Sequence, residues 1–301
     1  MNYEKTIKNI RTELYNYCKY NNIQTLVIGI SGGMDSCLCA ILARPVCDSL
    51  GIPLYGISLP ITSNKQDEIN RAKITGETFC TKFRQENLEE LFHTFSIINP
   101  DPSYSYNALI EERFNLSEEE LEKDWKIRNG NIKARLRMIY LYNLASMSKG
   151  MVLSTDNLTE YLLGFWTLHG DVGDYGMIQE LYKSEVYNIA EWIANNESWW
   201  KLTIGKNIIL DTMNALATDG LGVTNTGDIG QIMPNWKGSS REGYKEVDRI
   251  LQVWMNMDYL GQTQQKAISP LKEHSVIQRH LKSAFKRDNP HNLKRFTIIV
   301  E

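Results

Sequence analysis

The sequence predicts an α/β fold in which a parallel β-sheet is covered on both faces by helices. Short aliphatic or β-branched runs alternate along its 301 residues with longer segments whose apolar residues recur every three to four positions. Strands and helices in that alternation join through right-handed crossovers, which place helices on both faces of a parallel sheet. The first such run, moreover, leaves through Ser31, Gly32, Gly33, Asp35 and Ser36, small and acidic residues that a packed core does not need.

Each element follows in order. MNYEKTIKNIRTELYNYCKY reads as an amphipathic helix and lacks the apolar stretch of a signal peptide. IQTLVIGI is the first strand, and DSCLCAILARPVCDSLG is a helix that Pro45 should kink or end early. PLYGISLP is a second strand, NKQDEINRAKITGETFCTKF a helix, and FHTFSII a third strand. Residues 99–126 hold two prolines and an acid-rich half, and are expected to form an insertion or flap. IKARLRMIYLYNLASMSKG has helical spacing and a terminal Gly150; MVLST then returns to the sheet, and QELYKSEVYNIAEWIAN is helical again. The pattern loosens over residues 200–240, rich in Gly, Asn and Thr, which predicts a mobile loop region able to cover a ligand. VIQRHLKSAFKRDNP closes the chain with a basic helix. With no linker or repeat, residues 1–301 are expected to form a single domain.

The totals exclude several classes of function. A chain that is 42% hydrophobic with a net charge of -3 is globular and has no basic field for nucleic acid or anionic lipid. No apolar run approaches the roughly 18 residues of a membrane span. A cytoplasmic protein without nucleic-acid or membrane partners is expected. Five cysteines include no Cys-x-x-Cys pair, the histidines have no zinc spacing, and Cys37 and Cys39 read as buried thiols.

A helix N-terminus attracts anions, glycine lets a backbone approach phosphate, and Ser31 and Ser36 add hydroxyl donors. Asp35 would repel phosphate unless Mg²⁺ lay between them. The string is neither a Gly-x-x-x-x-Gly-Lys loop nor a Gly-x-Gly-x-x-Gly fingerprint. SGGMDS instead resembles the SGGxDS signature of the ATP pyrophosphatase, or PP-loop, superfamily. That likeness implies a Rossmann-like, doubly wound sheet of the adenine nucleotide alpha-hydrolase kind and cleavage of ATP between its α and β phosphates.

Three further strings are similar to those of NAD synthetases: NIKARLRMIYLYNLA from Asn131, LSTDNLTEYLLGFWTLHGD from Leu153 to Asp171, and LYKSEVY from Leu181. The resemblance implies a ligase that adenylates the nicotinate carboxylate of deamido-NAD with Mg·ATP. Ammonia would then displace AMP to give NAD. It assigns ATP to Ser31, Gly32, Gly33, Asp35, Ser36, Thr155, Lys183 and Thr218, and Mg²⁺ to Asp35 and Glu160. Substrate falls to Asn131, Arg135, Arg137, Asp171, Lys286 and Arg287; Asp171, Asp174 and Lys183 are the expected catalytic groups. It also implies a homodimer. Only 30 residues precede Ser31, so no N-terminal glutaminase domain is expected and ammonia is the expected nitrogen donor.

The chain departs from the family pattern in places. GDVGDYGMI is one residue short of the usual loop, so Asp174 aligns only with a gap. Phe285 stands where a histidine is usual, and Tyr244 and Asp248 are a remnant of a D-E…G-x-x-Y region. Two alternatives stay open: another PP-loop adenylating amidotransferase, and a nucleotide-binding regulatory protein that has lost its chemistry.

Overall fold

Strands β1 (Thr25–Gly29), β2 (Leu54–Ser58), β3 (Lys82–Gln85), β4 (Gly150–Ser154) and β5 (Tyr175–Gly176) form one sheet in the computed structural model. Their spatial order is β3-β2-β1-β4-β5 and every pairing is parallel. The structure describes residues 1–62, 64–98, 117–197, 203–218, 227–256 and 269–290. Among them are α1 (Tyr3–Tyr20), α2 (Met34–Leu50), α3 (Gln66–Phe79), α4 (Glu89–Ile98), α5 (Glu118–Met147) and α6 (Leu158–Leu163). Then follow α7 (Lys183–Asn196), α8 (Thr203–Asn214), α9 (Gly227–Ile232), α10 (Ser240–Met255), α11 (Ser275–Lys282) and α12 (Ala284–Arg287).

Side chains on a strand alternate between faces, and β1 supplies both cores. Leu26 and Ile28 join the larger cluster, with Leu54, Met151 and Leu153 of the sheet and the buried sides of α1, α2, α7 and α8. Val27 points the other way, to Ile57 and Val152 of the sheet and Leu136, Leu141 and Ala145 of α5. The sheet is therefore buried on both faces, and the predicted α/β class holds. Among the described residues no helix is long and apolar enough to cross a membrane.

Three expectations need correction. Pro45 does not end α2, which runs on to Leu50. Its unbroken row of buried residues from Cys37 to Ala43, continued by Val46 and Cys47, outweighs the lost backbone bond. The third strand is KFRQ at 82–85, and the apolar run FHTFSII lies instead in α4. Residues 200–240 contain α8 and α9 rather than loop alone; 219–226 lie outside the described residues. Of the expected insertion at 99–126, residues from Glu118 onward belong to α5, behind a capping box at Ser117, and 99–116 lie outside the described residues.

Candidate active site

The chain winds from β1 outward to β3 and then restarts at β4 on the other side of β1. In such sheets a crevice opens at the carboxyl ends of the two strands where the order reverses. Here a cavity of about 770 Å³ lies there, lined by the loop after β1, the segment after β4 and one side of α5.

The loop after β1 is built for close approach. Gly32 has φ +84°, and a Cβ there would sit 2.3 Å from the Glu68 carbonyl oxygen of α3, so no other residue fits. Ser31 and Ser36 pair through their hydroxyls at 3.1 Å, and the Ser31 hydroxyl accepts from the Gly33 amide at 3.2 Å. Gly33 is the N-cap of α2 and offers no side chain to its first amides. A helix start left in that state is a ready partner for an anion.

Asp35 and Glu160 enter from the first turns of α2 and α6, and Lys183 from the first turn of α7. The Lys183 ammonium, 4% exposed, donates to Asp35 Oδ2 and, at 3.0 Å, to Glu160 Oε1. Asn157 joins them: its Nδ2 donates to Asp35 Oδ1 at 2.9 Å, and its backbone N–H donates to Glu160 Oε2 at 3.4 Å. Burial lifts the Glu160 carboxyl to about 7, although Lys183 pulls it the other way. Burial works against the Lys183 charge, but Asp35 and Glu160 hold its pKa well above the ordinary lysine range. Two carboxylates thus share one ammonium at the wall of the cavity, and a net charge of about -1 is reached only above about pH 7, where Glu160 is ionised.

A second group lies across the cavity. The Thr167 amide donates to Asp171 Oδ1 at 2.7 Å, and the Thr167 hydroxyl donates to Asn131 Oδ1 at 2.9 Å. Burial raises Asp171 to about 6, opposed by the Thr167 amide and by Lys286. Lys286 itself donates to the carbonyls of Gly164, at 2.7 Å, and Trp166. Arg137 donates to the Leu59 carbonyl at 3.1 Å and to Asn64 Oδ1 at 2.8 Å; Thr218 donates to Glu68 Oε1 at 2.8 Å.

The cavity gathers Ser31, Gly32, Gly33, Asp35, Asn131, Arg137, Thr155, Glu160, Asp171, Lys183, Thr218 and Lys286. Four expected residues lie outside its lining. Ser36 braces the loop from behind and is 2% exposed. Arg135 is exposed and donates to the Leu168 carbonyl at 2.9 Å. Asp174 stands beside β4: its carboxylate accepts from the Val152 amide at 2.8 Å, and its own amide donates to the Val152 carbonyl at 2.7 Å. Arg287 donates to the carbonyls of Leu162, at 2.7 Å, and His280, at 2.8 Å, fastening α12 to the end of α6.

Sequence reasoning missed Glu68, Arg71, Asp156, Asp228 and Arg279, which also line the cavity. Asp156 lay within reach, inside the same T-D-N string as Thr155. Burial, reinforced by Asp171, Glu160 and Asp35, raises its carboxyl well above the usual range, while the Ser154 hydroxyl donates to it at 3.0 Å. The other four carry no local signal, since elements distant in sequence bring them in.

A family model described as NAD synthase matches residues 6–210. The NH(3)-dependent NAD(+) synthetase of Pyrococcus furiosus is 31% identical over 199 residues, 66% of this chain and 66% of that protein. The NH(3)-dependent NAD(+) synthetase of Finegoldia magna is 32% identical over 193 residues, 64% of this chain and 69% of that one. The match thus spans about two thirds of the length of these relatives. In fold, the chain is similar to the solved structure of NMN synthetase from Francisella tularensis, with a TM-score of 0.67, 21% identity and 98% of each chain covered.

Proposed function

The chain belongs to the NAD synthase family, and we propose that its cavity activates the nicotinate carboxylate of deamido-NAD with ATP and forms NAD by attack of ammonia. The observation that carries this reading is Lys183 held between Asp35 and Glu160 beside the amide-lined loop of Ser31 to Gly33. A site that only bound a nucleotide would not need a buried cation beside two carboxylates.

Two carboxylates from two helix starts suit Mg²⁺, which takes one or two protein carboxylates and completes its shell with phosphate oxygens and water. Bound by Asp35 and Glu160, it would neutralise phosphate charge. The α2 amides and the Ser31 hydroxyl hold the triphosphate, and Thr155 lies at the adenosine end. Asn131, Arg137 and Lys286 hold the dinucleotide so that its carboxylate oxygen meets the α phosphorus. That oxygen forms a bond to phosphorus as the bond to the β-phosphate oxygen breaks, and the Lys183 ammonium neutralises the departing pyrophosphate. Asp171, ionised above about pH 6, takes a proton from ammonium. The freed ammonia attacks the acyl carbon, the carbon–oxygen bond to AMP breaks, and the nitrogen gives up its extra proton to solvent as AMP leaves. Asp174 and Arg287 act by fixing backbone around the site, and Arg135 by tying α5 to the 168 turn.

Ile139, Tyr142 and Met147 of α5 are 60%, 38% and 77% exposed, and Val172 beside them is 40% exposed. A second copy of the chain covers this apolar face, giving a homodimer. The five cysteines are free thiols and buried, which suits the reducing cytoplasm. Residues 1–301 act as one domain.

The test is turnover of purified protein with Mg·ATP, either ammonium or glutamine, and either deamido-NAD or nicotinate mononucleotide. Equal NAD and AMP from deamido-NAD with ammonium, and little product with glutamine, is the expected result. Amidation of the mononucleotide in preference would overturn the acceptor. Absence of AMP with every pair would overturn the reaction and favour a nucleotide-binding regulatory protein.

A further inference from the structure

Asp248 takes no part in the chemistry above and does not line the cavity, yet it is a carboxylate only 1% exposed. It lies on α10, one turn beyond Tyr244, whose ring is 5.3 Å from the Lys183 ammonium. Its two oxygens face two different elements. Oδ1 accepts from the Thr159 hydroxyl at 2.5 Å, and Oδ2 accepts from the Ser184 amide at 2.7 Å. The Thr159 oxygen accepts in turn from the Lys183 amide at 2.8 Å. Thr159 immediately precedes Glu160, and Ser184 immediately follows Lys183.

We propose that Asp248 is a positioning residue for the reaction: through Thr159 and the amides of Lys183 and Ser184 it locks the first turn of α6 to the first turn of α7. In doing so it sets the spacing at which Glu160 and Lys183 meet Asp35. This rests on the reading of the cavity as an ATP site and deepens it.

The physical case is the unfavourable burial of the group. Burial raises the Asp248 carboxyl, and the Ser184 and Thr159 hydrogen bonds draw it back down. These donors are neutral, so the charge is held by a hydroxyl and a helix-start amide. A fold that only had to seat α10 would be served as well by an apolar side chain of similar volume. What a carboxylate adds is two acceptors at a fixed separation, here occupied by the immediate neighbours of the two groups that handle charge. Thr159 has its hydroxyl committed in both directions, as donor to Asp248 and acceptor from Lys183, so the lock has no slack.

The variants are Asp248→Asn, which turns one acceptor into a donor, Thr159→Val, which keeps the shape and deletes the hydroxyl, and Thr159→Ser, which restores it. Asp248→Asn and Thr159→Val should each lower kcat/KM for Mg·ATP by about 10- to 100-fold, the usual cost of losing a group that orients a site residue. KM for deamido-NAD and for ammonium should stay within roughly twofold, because that end of the cavity is untouched. Thr159→Ser should recover most of the loss. Mg·ATP affinity by calorimetry, without acceptor, and the melting temperature are measured beside the kinetics. A lower melting temperature with unchanged Mg·ATP affinity and unchanged kcat per folded molecule would make Asp248 purely structural and overturn the proposal. So would equal loss in Thr159→Ser and Thr159→Val. If the unaltered protein binds Mg·ATP but makes no NAD, the reaction assigned above fails, while weaker binding by Asp248→Asn still supports the positioning role.

Discussion

Replacing Glu160 by Gln should make the ligand-free protein more stable while stopping its chemistry. The substitution keeps size and shape and removes one of two negative charges around Lys183, so a buried cluster of net charge about -1 becomes a neutral pair. Burial lifts the Glu160 carboxyl from 4.5 to about 7, which corresponds to about 3 kcal/mol held against its ionised form. That figure already includes the attraction of Lys183 for the charged form, so the gain from removing the charge is about 3 kcal/mol where wild-type Glu160 is ionised. For a chain of 301 residues that is a rise of about 5 °C in melting temperature. The pH dependence has a definite sign. Below about pH 4.5 the folded and unfolded chains both hold the proton; between there and about 7 only the folded chain does, so wild-type stability falls as pH rises, and above 7 the penalty is complete. The advantage of Glu160→Gln should therefore be absent at pH 4.5, open through pH 6 and level off by pH 8. Differential scanning calorimetry across that range, without nucleotide, measures it. Turnover at pH 8 should fall by about 100-fold or more through loss of one charge-handling group. A variant that melts below wild type at pH 8, or a difference that does not change with pH, would refute the reasoning.

Three other outcomes follow from the same geometry. In Asp171→Asn, kcat should fall by about 100-fold or more, and the acid limb near pH 6 in kcat/KM for ammonium should disappear, since the wild-type carboxyl loses its ability to accept a proton below about 6; a limb that persists would move the base elsewhere. Gly32→Ala forces a side chain into φ +84° and against the Glu68 carbonyl, so a loss of about 2 kcal/mol or more in stability, together with a raised KM for ATP, is expected from melting and kinetic measurements. Cys37→Ala should cost about 1 kcal/mol of stability and leave turnover within roughly twofold. Burial pushes the Cys37 thiol up to about 12, so mass spectrometry should find it unalkylated in the native protein after iodoacetamide at pH 8.

The parts of the fold legible in the sequence are those with apolar faces. β1 sends Leu26, Val27 and Ile28 into two cores, so three apolar residues follow one another at its centre without alternation. β3 escapes notice because it is an edge strand whose Lys82, Arg84 and Gln85 are exposed, leaving neither an apolar run nor a clean alternation. The seven-residue run from Phe92 to Ile98 has the composition of a strand and folds as α4, a distinction that periodicity does not draw over so few residues. At the site, the residues that follow β1 and β4 directly are readable, because a strand exit carrying Ser, Gly and Asp has no packing reason. Glu68 and Thr218 meet across 150 positions, and Asp228 reaches the cavity with its carboxylate accepting from Tyr244 of α10. Such pairings exist only once the chain is folded. Asp174 shows the reverse limit: a carboxylate that stands out in the sequence accepts from the Val152 amide of β4, a contact that its local sequence does not signal.

Asp35 follows the last residue of β1 by the same interval at which Glu160 follows the last residue of β4, and those strands are direct hydrogen-bonded neighbours. The two strand exits from which these carboxylates depart are therefore held about 4.8 Å apart by the ladder of main-chain bonds, and side chains such as Thr159 and Asp248 have only to set the last turn beyond them. Mutational drift in the core can exchange one aliphatic residue for another without redrawing the distance on which the chemistry depends. The register of one strand pair thus carries a constraint that no single core side chain has to carry.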